Sequence, residues 1–538
     1  MNSTIFFSAL ALLGLPATAL AGDPAAVFEQ NDRCLACHNG MSASDGSDLS
    51  IGVDWRSSMM ANAARDPYWH AAVRREVSDH PQHQGAIEDK CSTCHMPMMR
   101  YGAKLAGEQG QVLANIPDGA VMPGPEASFA ADGVSCAVCH QITEEGLGDT
   151  SSFTGQFVID PQAKKVHGPV ETDPGRQRVM RSSSGFDPHM GSHVQSADFC
   201  GSCHTLYTHA YGPDGEVTGE LPEQVPYLEW KHSSYPGQQS CQDCHMPEAG
   251  TAAISSVLPK EHPAFNQHVF RGGNFFMPRV LAVNAAAQGV KASAQEQEAT
   301  AASAVENLAT KTATMAVDGA IVEGSLELGV SVQNLAGHKL PTAYPSRRVW
   351  LHVAVTDTAG TVIFESGAIQ PDGSIAGNDN DADGSTYEPH YISIDSPDQV
   401  QIWEPILADP SGAVTTGLLT ATQYIKDNRL LPAGFDASTA HADIAVNGAA
   451  KDDPDFVAGN DHVIYRVALG ETEGPVEVTV QLLYQPIGYR WAHNLGAVDA
   501  LETNRWVGYY EDLAHASSTP LASATLQVAQ AEAQPTTD

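Results

Sequence analysis

The chain has 538 residues, 42% of them apolar, and a formal charge of −36 from 64 acidic and 28 basic side chains. That apolar share supports a buried core and excludes a chain disordered by composition. The acidic balance opposes binding to nucleic acid and to anionic membrane surfaces, and it favours cationic partners or metal ions.

Residues 1–21 read as a signal peptide. An apolar run at 5–15 precedes Ala19-Leu20-Ala21, an A-x-A-like cleavage site before Gly22, although the first turn has no Lys or Arg. Export to the periplasm or the cell surface is therefore expected. No cysteine stands near residue 22 to take a lipid, and no later stretch is apolar for long enough to span a bilayer.

Ten cysteines in an exported chain ordinarily suggest disulfides. Their spacing says otherwise. All ten fall in five C-x-x-C-H motifs: Cys34/Cys37/His38, Cys91/Cys94/His95, Cys136/Cys139/His140, Cys200/Cys203/His204 and Cys241/Cys244/His245. Two thiols three positions apart add to the two vinyl groups of one haem, and the next residue supplies an imidazole to its iron. His is 22 of 538 residues. A His after all five pairs by chance has a probability on the order of one in ten million. Zinc ribbons do not require that His, and thioredoxin-like motifs use one pair. The expected cofactors are five covalently bound haem c groups. The motifs start 57, 45, 64 and 41 residues apart, too irregular for a tandem repeat. They lie so close together that the haems are expected to pack against one another and to replace much of the protein core.

Seventeen histidines lie outside the motifs, enough to give every iron a sixth ligand. The first distal candidates are His80, His193 and His268; the second are His70, His167, His189, His209, His232 and His338. His268 precedes Gly272-Gly273, where the backbone can approach a flat macrocycle. Met59 or Met60 is a further candidate, whereas Met96 and Met246 follow proximal histidines and read as packing.

Residues 279–316 read as helix broken around Gly289, a connector. From about residue 320 the pattern turns to strands, at 326–332, 349–355, 362–365, 463–469, 476–483 and 524–528, with a hairpin turn at Asp357-Thr358-Ala359-Gly360. The expected fold is a haem-cored, mostly helical and irregular cytochrome domain (22–278), the helical connector (279–316), and an antiparallel β-sandwich (317–532) with a long insertion at about 370–460. Within the insertion, Asp379, Asp381 and Asp383 with Gly384 make half of a calcium loop, and Glu388 is a candidate added ligand. The twelfth position is His390 rather than Glu, and the alternative reading is an acidic turn. The stretch 337–348, with His338, Arg347 and Arg348, is a candidate docking segment onto the haem region, its arginines pairing with propionates. The alternative reading is an ordinary loop.

Residues 55–76, the five motifs, residues 222–230 and residues 338–348 together resemble bacterial multihaem c-type cytochromes of the cytochrome c-554/c-prime type, with a C-terminal β domain. The resemblance implies electron transfer outside the cytoplasm, with other redox proteins or an external acceptor or donor as partners. Three functions compete: an electron carrier, a multihaem oxidoreductase acting on a small nitrogen or sulfur compound at one open haem, and a subunit of a cytochrome filament or other homo-oligomer. All five motifs end in His, unlike the Lys-ended motif of pentahaem nitrite reductases. Ligand supply favours the carrier.

Overall fold

A computed structural model describes residues 23–529, apart from residues 44, 120–123 and 473. The expected signal segment, residues 1–21, lies outside the described residues.

The N-terminal half is built from short helices, hairpins and turns. Helix α1 (Pro67–Asp79) begins where the Asp66 carboxylate accepts the N–H groups of Tyr68 at 2.9 Å and Trp69 at 3.2 Å. Pro67 follows at the first position, where a missing N–H removes no helical bond. The helix stops at His80, the residue before Pro81, because a proline disfavours helical backbone in the residue preceding it. Helix α2 (Gln84–His95) carries the second motif, and Pro97 opens α3 (Pro97–Ala106), which closes on Gly107 with φ +75°. Buried apolar side chains here form small separate groups. Val27, Phe28 and Phe129 belong to one, Trp69, Val73 and Ile87 to another, and Met41, Leu49 and Phe265 to a third.

Helices follow: α4 (Phe276–Val283), a short turn of helix, Gly289 with φ +61°, then α5 (Ala294–Lys311), which ends before the expected limit of 316. Ser293 and Glu296 cap α5 reciprocally, at 3.2 and 2.8 Å. Strand β1 (Ala313–Val322) starts before residue 320, because its alternation is diluted by Ala and Gly and little of it is buried.

The strands that follow it are β2 (Ser325–Asn334), β3 (Arg348–Thr356), β4 (Val362–Ser366), β5 (Ser393–Ile394), β6 (Ile402–Trp403), β7 (Pro405–Ala408), β8 (Val414–Thr415), β9 (Gln423–Asp427), β10 (Asn460–Ala468), β11 (Val476–Gln485) and β12 (Thr519–Val528). One sheet has the order β4-β3-β11-β12, with β6 also pairing β3; a second runs β5-β10-β2-β1. All these pairs are antiparallel except β5 with β10. Leu326, Leu328, Val330 and Val332 point to one side of β2, by the two-residue period of a strand. They join Val353, Val355, Val478, Val480 and Leu482 of the other sheet in one continuous core. Each such side chain contributes about 1.5–3 kcal/mol by burial. At the expected turn, the Asp357 carboxylate accepts the N–H groups of Ala359 and Thr361, both at 2.8 Å.

Within the insertion β5 and β6 join the two main sheets, while β8-β7-β9 form a separate sheet that reaches back to the N-terminal half. There the buried Glu76 of α1 accepts the Leu418 and Leu419 N–H groups at 2.8 and 3.3 Å. Helix α6 (Leu501–Leu513) is absent from the expected elements. Its buried Thr503, Trp506 and Tyr510, at helical spacing, are the signal for it. Trp506 meets Tyr68 of α1 edge-on at 5.0 Å, and Arg74 pairs with Glu502 through two bonds of 2.9 and 3.0 Å. Among the described residues, no helix is long and apolar enough to cross a membrane.

Candidate haem centres

Every motif starts on a helical turn: Cys34 in Asn31–Leu35, Cys91 in α2, Cys136 in Cys136–Cys139, Cys200 in Ala197–Gly201 and Cys241 in Cys241–His245. Helical backbone sets residues i, i+3 and i+4 on one face, so both thiols and the imidazole of a motif look the same way. In the first motif the helix itself ends at Leu35, before Cys37. The turn nevertheless keeps helical bonding, because the N–H groups of Cys37 and His38 both reach the Cys34 carbonyl at 3.1 Å. The Cys37 carbonyl in turn accepts the Ser256 N–H at 2.9 Å and its hydroxyl at 3.0 Å, so a remote loop fixes this end of the motif. The fourth motif is built alike: its helix ends at Gly201, and the N–H groups of Cys203 and His204 bond the Cys200 carbonyl at 3.2 and 2.9 Å. All ten cysteines, Cys37 and Cys244 included, are free of disulfides, as attachment to haem requires. Local caps hold these turns. Ser135 Oγ accepts the Val138 N–H, Ser196 Oγ accepts that of Asp198, and Asp243 accepts that of Ser240.

Four of the five motif imidazoles donate Nδ1–H to a backbone carbonyl. His38 bonds Ile254 at 2.6 Å, His95 bonds Ala63 at 2.9 Å, His140 bonds His167 at 2.6 Å, and His245 bonds Arg271. This bond sets the tautomer and leaves Nε2 as the lone-pair nitrogen, which is how the outer partner of a metal-bound histidine orients it. Burial pushes His95 and His204 down to about 4, so both rings are neutral at pH 7. Several of these groups lie deep in the protein yet keep accessible surface: Cys91, Cys94, His95, His204 and His245. They therefore line internal space, and a flat macrocycle bonded to the thiols fits there.

Thiols of different motifs adjoin. Cys34 lies against Cys136, Cys94 against Cys203, and Cys200 against Cys241. Cys139 lies close to Cys203 and Cys200. The five motifs thus form one connected set, in the order first, third, fourth and fifth, with the second branching from the fourth. The first motif joins this set through Cys34.

A crystal structure of a penta-heme cytochrome c552 from Thermochromatium tepidum superposes on this chain with a TM-score of 0.55, covering 93% of this chain and 99% of that one at 15% identity. The chain has a multihaem cytochrome fold. Its Cys pairs fit a multihaem c-type cytochrome. No family model and no curated protein matches the chain.

Two distal candidates of this cytochrome fold face motif imidazoles. His268 stands 6.5 Å from His140, ring centre to ring centre, with 27° between planes; His338 stands 6.3 Å from His245, at 22°. Two imidazoles bound to one iron from opposite faces at about 2 Å per bond stand with ring centres roughly 6 Å apart. His338 Nδ1 donates to the Lys339 carbonyl at 2.9 Å, which leaves its Nε2 free.

The other candidates have different neighbours. Nε2 of His80 is 3.2 Å from the Thr420 hydroxyl; Nε2 of His193, His70 and His232 is 2.9 Å from the carbonyls of Ile142, Ala64 and Asp436. His167, His189 and His193 gather together, with His167 4.9 Å from His193 and 6.5 Å from His189. His209 is exposed beside Glu220.

The segment carrying His338 is tied down by buried charge. Glu229 accepts the Lys339 N–H at 3.1 Å and the Thr342 hydroxyl at 2.5 Å, and Arg429 Nη1 lies 3.0 Å away as an ion contact without hydrogen-bond alignment. Arg429 and Lys339 both bond Asp427, at 2.8 and 2.7 Å. Burial alone would raise the Asp427 carboxyl, but Arg429 and Lys339 hold it down at about 2. Sequence reading found the docking segment but not Glu229, Asp427 and Arg429, which lie far apart in the chain. Arg348 does not reach outward to a propionate: it is buried and bonds Asp381 at 2.9 Å.

That pairing also corrects the calcium expectation. Asp381 is neutralised by Arg348 and bonded by the Ile375 N–H, Asp383 caps Ser385, and Glu388 accepts the Asp379 N–H. The Asp381 and Asp383 carboxylates thus have separate protein partners, and Asp379, Asp381 and Asp383 do not gather their oxygens as a calcium loop does. Among the described residues, His390, Asp453 and Asp461 do lie close enough to share an ion. Yet His390 Nδ1 accepts N–H groups of Gln401 and Asn428, both at 3.0 Å. Both amides are fixed, their oxygens taken by the N–H groups of Tyr391 and Glu404. The ring proton therefore sits on Nε2, which donates to Asp453 at 2.9 Å and offers a metal no lone pair.

Proposed function

We propose that this chain is an exported pentahaem c-type cytochrome that passes electrons between redox partners in the periplasm or at the cell surface. The reading divides it into a haem domain (22–278), a helical connector (279–316) and an antiparallel β-sandwich (317–532). One observation carries it: thiols from different motifs adjoin until all five sites form one set. Each bound haem would supply a one-electron centre whose potential follows its axial ligands and surroundings. The protein's own part is to hold neighbouring sites in contact and to orient the proximal imidazoles through Nδ1–carbonyl bonds. His268 and His338 are assigned as the sixth ligands of the third and fifth irons, from their spacing to His140 and His245. His80 and His193 would have to release their oxygen partners to reach an iron.

The test is a haem count by pyridine haemochrome together with a reductive titration followed by low-temperature EPR. Five haems per chain with spin-coupled ferric signals are expected. Five magnetically isolated centres, or a count below five, would overturn the proposal.

A further inference from the structure

The fifth motif stands beside positive charge that no group of the protein pairs with. The Arg271 carbonyl accepts the His245 Nδ1–H, and the Arg271 N–H bonds the His245 carbonyl at 3.0 Å. The backbone of Arg271 is thus clamped to the proximal residue of this site. Its side chain makes no ion pair among the described residues, and its Nε is buried without a hydrogen-bond partner. A carboxyl within electrostatic reach, Asp54, accepts the His268 N–H and is pushed up to about 6 by burial.

A second arginine stands at the same site. Arg347 is half-buried and lies within electrostatic reach of His204, His245 and His338. Its Nη1 donates to the Thr342 carbonyl at 3.1 Å, and it too has no ion pair among the described residues. Glu229 also reaches His338, but it is committed to Arg429, the Lys339 N–H and the Thr342 hydroxyl. A cation drawn out of water is costly unless an anion meets it. The planar fork of an arginine fits a carboxylate through two parallel bonds. Two such forks at one site match the pair of propionates on a haem.

We propose that Arg271 and Arg347 pair with the propionates of the fifth haem and raise its potential, which makes it the haem where electrons collect. The proposal rests on the electron-transfer reading. The third and fifth irons have the same assigned ligands, two imidazoles each, so the difference between them falls to their surroundings. The reduced iron carries one more electron, and a neighbouring cation favours it. A unit charge about 10 Å away, at an effective dielectric of about 20, shifts that balance roughly tenfold. The fifth haem also ends the connected set of sites, and Cys244 is the exposed one of the ten motif cysteines. Electrons therefore collect where a partner can take them.

The experiment is a spectroelectrochemical titration of the holoprotein, with haem counted for every variant. His338→Met marks the midpoint of the fifth haem by raising it, and His268→Met marks the third. In the wild type the fifth haem is expected to be reduced before the third. Arg271→Gln and Arg347→Gln should each lower the reduced-to-oxidised ratio of the fifth haem roughly tenfold at fixed potential, about 59 mV for a one-electron couple. Arg347→Lys keeps the charge and should change that ratio by less than about threefold, whereas a purely structural role would move both Arg347 variants alike. Where a Gln variant fails to hold five haems, the order of reduction in the wild type decides. A fifth haem reduced after the third, Gln variants that titrate as wild type, equal shifts in Arg347→Lys and Arg347→Gln, or a His338→Met variant that moves no midpoint would each overturn the proposal and leave the electron-transfer reading standing. A wild-type count below five would overturn both.

Discussion

Replacing Glu229 by Gln tests how the N-terminal half holds the segment carrying His338, the sixth ligand proposed for the fifth iron. Glu229 is fully buried, and it ties helix Pro226–Lys231 to the segment carrying His338 through the Lys339 N–H and the Thr342 hydroxyl. Two buried anions, Glu229 and Asp427, balance two buried cations, Arg429 and Lys339. Gln keeps an acceptor for the two hydrogen bonds but leaves one positive charge uncompensated. Removing one partner of a buried pair costs about 3–5 kcal/mol. The retained contacts place this variant near the lower end, about 3 kcal/mol. Guanidinium unfolding of the ferric holoprotein, followed by tryptophan fluorescence, measures the loss. EPR on the same samples should show the low-spin signal of one haem broadened or partly converted to high spin as His338 loosens. A loss below about 0.5 kcal/mol, the range of an ordinary surface change, with an unchanged EPR spectrum, would refute the reasoning.

Three further outcomes are expected. His268→Met should raise the midpoint of one haem in five, because a thioether ligand stabilises the reduced iron; a redox titration that overlays the wild type would remove His268 from the iron. Burial pushes Glu76 up to about 7 against the pull of the Leu418 and Leu419 N–H groups, and pushes Asp461 to about 7 as well. A carboxyl raised on folding stabilises fully below its unfolded value and loses that contribution as pH rises through its folded value. Glu76 alone carries about 3 kcal/mol of this dependence. The melting temperature should therefore fall as pH rises from 5 to 8, and less steeply in Glu76→Gln; calorimetry showing a rise over that range would contradict it. His390→Ala should destabilise by about 3 kcal/mol, by leaving Asp453 without its buried donor. Added Zn²⁺ should not raise the melting temperature of the wild type, and a zinc-dependent rise would show that Nε2 does take a metal.

Haem attachment was legible because it is local chemistry. Two thiols and an imidazole at i, i+3 and i+4 on a helical turn need no partner from elsewhere in the chain. What the motifs did not disclose is which remote groups steady them, such as Ser256 on the Cys37 carbonyl. The long strands were legible for the same reason as the motifs: the period of Leu326, Leu328, Val330 and Val332 is written in consecutive residues. Elements with weak periodicity were not. Strand β1 is diluted by Ala and Gly, and α6 shows an aromatic buried side only through Trp506 and Tyr510. The axial candidates needed the fold. His268 and His338 are separated from His140 and His245 by more than ninety residues each, and sequence rules ranked His338 below His80 and His193. The calcium loop failed because Arg348, a strand away, takes Asp381. A sequence by itself determines which groups can form covalent bonds and which segments repeat at strand or helix period. Only the tertiary structure decides which buried charges meet, which imidazoles face each other, and which remote groups steady a motif, because those depend on distance between parts of the chain that are remote along it.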